Sequence, residues 1–407
     1  MLRNLLIVCV VGVALYVVFE PIPENIEIPW KLKVLTHVFK LTSRLLYLGS
    51  YVTPIIPDGF TTWIDARVKD ALVSIGPNTT YTDTAYGGVP VRVFADIPEG
   101  TEAAKRPAIV YYHGGGWNRG SVDLLHPLTA EIARGLDAVV VSVEYRLAPQ
   151  HLFPVAIDDC TAATVGFLQH LKDFNVDPTR VAVMGDSAGG NLAAAVAQRL
   201  TFDSKYKELP KLKLQVLIYP ALQALDFQTP SYQQNGDYFT TVLDRVRMAE
   251  FWAVYLNDRP SLSIPMSVNQ HTSVEAKVSP LAKKCISHDL IPDEFKQTGY
   301  EAPSTDFGDE GIYDEIKGVL LDPDFAPLMR EDLRGLPEAY ILTAEYDVLR
   351  DDGVMYVKRL EKAGVKVTWK HYKNGFHGMF TFSNGPIESP SGDLALADFL
   401  DFARKVL

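Results

Sequence analysis

From residue 80 onward the apolar positions fall into short, β-branched runs separated by stretches with helical spacing. The runs are Val89–Ala95, Ala108–His113, Ala138–Val143, Val181–Gly185, Leu212–Tyr219, Ala339–Thr343 and Val365–Tyr372. Near-continuous apolar runs of this length read as strands buried on both faces. Residues 154–173 and 190–200 carry apolar residues at the three- and four-residue spacing of a helix packed on one side. Strands alternating with helices predict a mostly parallel sheet covered on both faces, an α/β class fold. No internal repeat or low-complexity stretch interrupts it. Residues 30–75 and about 222–330 fall outside the rhythm, and both are expected to form lid pieces. In the first, Trp30–Tyr51 predicts a basic amphipathic helix, either on a membrane surface or packed on the core. In the second, Val242–Leu256, with Phe251, Trp252 and Tyr255, predicts a buried helix or one that lines an apolar pocket.

The first residues form a different pattern. Leu5–Phe19 is an unbroken apolar run, preceded by Arg3 and followed by Glu20, Glu24 and Glu27. At about 1.5 Å rise per residue it spans about 22 Å, against a hydrocarbon core of roughly 30 Å, so a cleavable signal peptide competes with a membrane anchor. Tyr16–Pro21 is bulky and offers no small-x-small cleavage site, which favours an uncleaved signal-anchor. The charges on either side place the N-terminus in the cytosol and the rest across the membrane. Residues 1–29 are therefore expected to be a cytosolic stub, anchor and flank, 30–75 N-terminal lid or membrane-proximal helices, and 76–407 one catalytic domain with its insertion. Asn78, in Asn78-Thr79-Thr80, is a glycosylation sequon that fits a lumenal catalytic domain.

Composition narrows the partners. Of 407 residues, 39 are Lys or Arg and 50 are Asp or Glu, a net charge of −11 that has the wrong sign for nucleic acid. The three cysteines, Cys9, Cys160 and Cys285, are too few for a disulfide framework and too widely spaced for a zinc site, although Cys160 and Cys285 remain open to pairing.

Two glycine motifs carry the chemistry. His113-Gly114-Gly115-Gly116-Trp117 follows the Ala108 strand directly, where a glycine turn can expose backbone N–H groups to a developing oxyanion. Gly185-Asp186-Ser187-Ala188-Gly189-Gly190 lies between the Val181 strand and a helix, as a nucleophile elbow requires. Ser187 is the expected nucleophile, and Gly114, Gly115 and the Ala188 N–H the expected oxyanion donors, with His113 and Gly116 completing the motif. A serine hydroxyl needs a base and a carboxylate to orient that base. Asp347 and His377 each follow a predicted strand, in the chain order serine, acid, histidine expected for such a sheet. Asp351 and Asp352 compete for the acid role, and His371 for the base, although His371 falls within the Val365 strand.

These motifs, together with Tyr145-Arg146-Leu147-Ala148-Pro149 and Phe153-Pro154, resemble the hormone-sensitive-lipase-like branch of the α/β-hydrolases. Within it the chain resembles the membrane-anchored arylacetamide deacetylase and neutral cholesterol ester hydrolase subgroup, essentially from end to end. The resemblance implies an α/β-hydrolase fold and a Ser187–His377–Asp347 triad that needs no metal or cofactor. It also implies a single-pass type II protein of the endoplasmic-reticulum membrane. The expected function is a membrane-anchored serine carboxylesterase acting on small hydrophobic esters. The alternatives are an arylacetamide deacetylase acting on amides and, more remotely, an inactive binding protein on a hydrolase scaffold.

Overall fold

The structure, a computed structural model, describes residues 22–34, 37, 79–95, 104–236, 242–383 and 388–407. Eight strands form one sheet: β1 (Tyr81–Tyr86), β2 (Val89–Phe94), β3 (Arg106–Tyr112), β4 (Val139–Val143), β5 (Val176–Asp186), β6 (Leu214–Ile218), β7 (Glu338–Tyr346) and β8 (Val367–Phe376). Their order is β1-β2-β4-β3-β5-β6-β7-β8. The pairs β1–β2 and β2–β4 are antiparallel, and every pair from β4 to β8 is parallel.

The continuous apolar runs are explained by two cores. Ala108, Val110 and Tyr112 of β3 point into one, and Ile109 and Tyr111 into the other, because successive strand side chains face opposite ways. Helices α1 (His126–Leu136), α2 (Val155–Leu168), α3 (Ala188–Phe202), α4 (Arg245–Asn257), α5 (Glu310–Leu320), α6 (Arg350–Lys362) and α7 (Pro390–Val406) cover the sheet or extend the insertion between β6 and β7. The first core is closed by α2, α3, α6 and the insertion, and the second by α1 and α7. The N-terminal segment also packs on the second core through Ile26 and Leu32, while Glu27 accepts hydrogen bonds from Ser389 Oγ and the Ser391 N–H at the start of α7.

Strand β1 escaped the pattern because Tyr81-Thr82-Asp83-Thr84-Ala85 is exposed along an edge and carries no apolar run. The insertion is pinned at both ends. Asn191, one turn into α3, donates to the carbonyls of Ala221 (2.9 Å) and Phe325 (2.8 Å). Leu328 N–H donates to the Leu222 carbonyl at 2.9 Å, and Gln198 holds the Pro327 carbonyl at 3.0 Å.

Two expectations lose their support, and one open point is closed. No helix among the described residues is long and apolar enough to cross a membrane, and Leu5–Phe19 lies outside the described residues. The anchor, the single-pass topology, the endoplasmic-reticulum placement and the membrane as a partner are therefore left without support, and the fold stands as sheet and helices alone. Asn78, and with it the glycoprotein expectation, also lies outside the described residues. Cys160 and Cys285 do not pair; both are buried free thiols.

Candidate active site

Ser187 joins the end of β5 to the start of α3 with φ 56° and ψ −119°, a backbone conformation that L side chains rarely adopt and that the surrounding packing must impose. The flanking glycines make it possible. A Cβ on Gly185 would stand 2.1 Å from the Gly189 carbonyl oxygen, and one on Gly189 2.0 Å from that of Tyr112. The turn is thus pressed between β5, α3 and the end of β3, and only hydrogen fits at either position.

Asp347 and His377 lie just beyond the carboxyl ends of β7 and β8, neighbouring parallel strands, so the topology delivers both to the sheet edge that carries Ser187. His377 Nε2 is 3.0 Å from Ser187 Oγ, and its Nδ1 is 2.8 Å from Asp347 Oδ2. Asp347 is fully buried, and its other oxygen accepts the Leu349 N–H at 2.8 Å. The Tyr219 ring lies 4.8 Å from the imidazole, centroid to centroid.

The competing residues have other partners. Asp351 accepts from the Ser231 N–H (2.6 Å) and Arg350 Nε (2.9 Å), and Asp352 from the N–H groups of Leu222 (2.8 Å) and Gln223 (3.3 Å). Both therefore fasten the insertion to α6. His371 lies within β8 and contacts Thr343 and Glu345.

The glycine loop departs from expectation at one position. Gly114 N–H is not available to an oxyanion, because it donates to Asp186 Oδ1 at 2.9 Å. The same oxygen accepts from the Tyr111 hydroxyl at 2.7 Å. Burial raises the Asp186 pKa, opposed by these two donors. Asp186 thus ties the glycine loop to the nucleophile turn, a role sequence reasoning missed although the residue precedes Ser187. Among the described residues, the N–H groups of Gly115, Gly116 and Ala188 have no acceptor. Gly115 has φ 122°, which only glycine adopts without strain, and the Phe251 ring lies against Gly116 where a side chain would be.

His113 supports this loop. Its Nδ1 contacts the Gly114 carbonyl at 2.8 Å, and its ring stacks on Tyr145 at 4.2 Å. The Tyr145 hydroxyl donates to the His113 carbonyl at 2.7 Å, which gives the Tyr145 motif a physical role. Burial lowers the His113 pKa to about 4, so the imidazole is neutral at pH 7. Beside the loop, Trp117 stacks on Tyr255 at 4.7 Å and meets Trp252 at 4.3 Å. Helix α4 therefore packs on the core and, through Phe251, also bounds the glycine turn.

A family model described as alpha/beta hydrolase fold matches residues 109–294 and 312–381. The chain is 41% identical over 395 residues to neutral cholesterol ester hydrolase 1 of Bos taurus, covering 94% of this chain and 93% of that one. It is 42% identical over 392 residues to arylacetamide deacetylase of Oryctolagus cuniculus, covering 93% and 94%. Among solved structures, an esterase of Pyrobaculum calidifontis superposes with a TM-score of 0.62 at 28% identity, covering 85% of this chain and 94% of that one.

Proposed function

The chain belongs to the hormone-sensitive-lipase-like family of α/β-hydrolases, and from that premise we propose that it hydrolyses hydrophobic esters and amides through Ser187, His377 and Asp347. Ester or amide hydrolysis as such follows from the relatives, so the inactive binding protein is set aside. The membrane-anchored carboxylesterase is corrected in two respects. The anchor has no support among the described residues. The relatives named for an ester and for an acetamide stand level at 41% and 42% identity, so amide cleavage ranks no lower than ester cleavage.

The observation that carries the site assignment is the hydrogen-bonded chain from Ser187 Oγ through His377 to Asp347. In this reading Nδ1–H donates to Asp347, which leaves Nε2 to accept the Ser187 proton as Oγ attacks the acyl carbonyl. Gly115, Gly116 and Ala188 supply N–H donors to the oxyanion, those of Ala188 and its helix helped by the dipole of α3. His377 then gives the proton to the departing alkoxide or amine, and water releases the acyl group from Ser187. Residues 76–407 act as one catalytic domain, with the insertion as its lid.

A fluorophosphonate probe should label the protein, and Ser187→Ala should abolish the label; undiminished labelling would overturn the assignment. Phenyl acetate, acetanilide and a short-chain cholesteryl ester, each with the Ser187→Ala control, separate ester from amide preference.

A further inference from the structure

A cavity lies within the insertion, and none of its lining residues belongs to the Ser187 site. Its volume is about 270 Å³. At roughly 30 Å³ for each water-sized group, it holds about nine non-hydrogen atoms. Leu225, Ala276, Ala282 and Ile286 give it apolar walls.

The charged groups on its lining are unequally matched. Asp226 is well satisfied: Oδ2 accepts from His288 Nε2 at 2.9 Å, and Oδ1 from Asn269 Nδ2 and the Gln228 N–H, both at 2.8 Å. The Tyr300 hydroxyl, 2.8 Å from His288 Nδ1, completes the imidazole's bonding. Lys277 and Lys283 form no close ion pair among the described residues: Lys283 is exposed, and Lys277 feels Asp226 and Asp306 only at longer range. Lys277 is half-buried; it donates to the Phe307 carbonyl, and its ammonium sits 3.9 Å from the centroid of the Phe307 ring. Burial lowers its pKa, the mark of a cation whose lost hydration is incompletely replaced.

Asp226 is engaged by His288, so the two lysines are the groups left to meet an anion. The nearby carboxylates of Asp226 and Asp306 oppose a second negative charge on it, which favours a monoanion over a dianion. From the cavity, its apolar walls and the two unmatched lysines, we infer that the insertion holds a binding site for a monocarboxylate with a short to medium alkyl chain. Its carboxylate meets Lys277 and Lys283, and its chain lies along Leu225, Ala276, Ala282 and Ile286. The ligand is of the class that ester cleavage at Ser187 would release. The site itself stands on its own geometry, and only its meaning as a product site rests on the catalytic reading.

Calorimetric titration of the full chain with sodium octanoate and with uncharged octanamide tests this. Octanoate should bind, and octanamide should bind at least about tenfold more weakly, the loss of roughly one charged contact. Lys277→Met/Lys283→Met should weaken octanoate at least about tenfold, with cooperative thermal unfolding retained. Ala302→Trp, which fills the cavity mouth without changing charge, should weaken both ligands. Absence of octanoate binding to the parent protein at about 1 mM would overturn the inference. So would equal affinity for octanamide, or octanoate binding that neither variant changes, which would mean binding elsewhere. None of these outcomes depends on Ser187 labelling, so this inference and the catalytic one can fail separately.

Discussion

Two hydroxyl–imidazole–carboxylate chains lie on and just beyond strands β7 and β8, and they differ in everything around them. One is Ser187–His377–Asp347, at the carboxyl edge of the sheet. The other is Thr343–His371–Glu345, within the strands: Thr343 Oγ1 is 3.0 Å from His371 Nδ1, and His371 Nε2 is 2.9 Å from Glu345 Oε2. The imidazole is reversed, with Nε2 toward the acid. Thr343 is fully buried, and its hydroxyl already accepts from Trp369 Nε1 at 2.8 Å. Its backbone pairs with His371 in the ladder with β8, so it does not sit in a glycine turn that presents successive N–H groups. Burial pushes the Glu345 pKa up, but the hydrogen bond from His371 and the Arg350 guanidinium, 2.9 Å away, outweigh it and hold the carboxyl below its usual value. Three side chains at hydrogen-bond distance thus make a cross-strand brace in one place and a candidate nucleophile in the other. What separates them is the strained turn and the glycine loop.

Replacing each hydroxyl is the strongest test of that comparison. Ser187→Ala should lower kcat by about 10⁴- to 10⁶-fold with stability nearly unchanged, whereas Thr343→Val should leave kcat within about twofold. A large loss of turnover in the threonine variant, measured on phenyl acetate, would erase the distinction.

Acid should affect the glycine loop through His113. Burial lowers the pKa of His113, and also of His271 in the insertion, to about 4. A histidine with a depressed folded pKa supports the folded state fully above its unfolded value near 6.5, and that support is lost as pH falls toward 4. Each residue should therefore remove about 3 kcal/mol of stability between those limits. Urea unfolding at pH 7 and pH 4 reads the loss, and His271→Gln should reduce it by about half; an unchanged pH dependence in that variant would count against the assignment.

The junction between loop and elbow gives a smaller effect. Asp186→Ala frees Gly114 N–H and Tyr111, and should lower kcat by about 10²-fold, comparable to losing one oxyanion donor. Asp186→Asn, which keeps an acceptor oxygen, should retain most activity. The smallest effect falls on the brace: His371→Ala should cost about 1–3 kcal/mol in thermal or urea unfolding, by leaving Thr343 and Glu345 short of a partner, with KM and kcat near parental values.

Much of this arrangement was legible from local pattern. The apolar runs located seven of the eight strands, because strands buried on both faces have no polar positions to hide them. Edge strand β1 was missed because its Tyr-Thr-Asp-Thr alternation resembles a loop. Strand order and chain position together indicated that Ser187, Asp347 and His377 reach one edge. The use of each glycine N–H was not legible, since it depends on which side chain folds back onto the loop, and Asp186 claims the first one. Nor could spacing reveal that Asp351 and Asp352 hold the insertion to α6, because their partners, Ser231, Leu222 and Gln223, lie more than a hundred residues away in sequence.

Those tethers limit how a substrate can enter. A door-like swing of the whole insertion about its base would pull Ala221, Leu222, Phe325 and Pro327 away from α3, α6 and one another, and strand several buried polar groups at about 1–3 kcal/mol apiece. The hinge is in effect bolted shut. Any opening within the insertion is therefore expected away from this base, so substitutions at the bolts should change stability without changing access to Ser187.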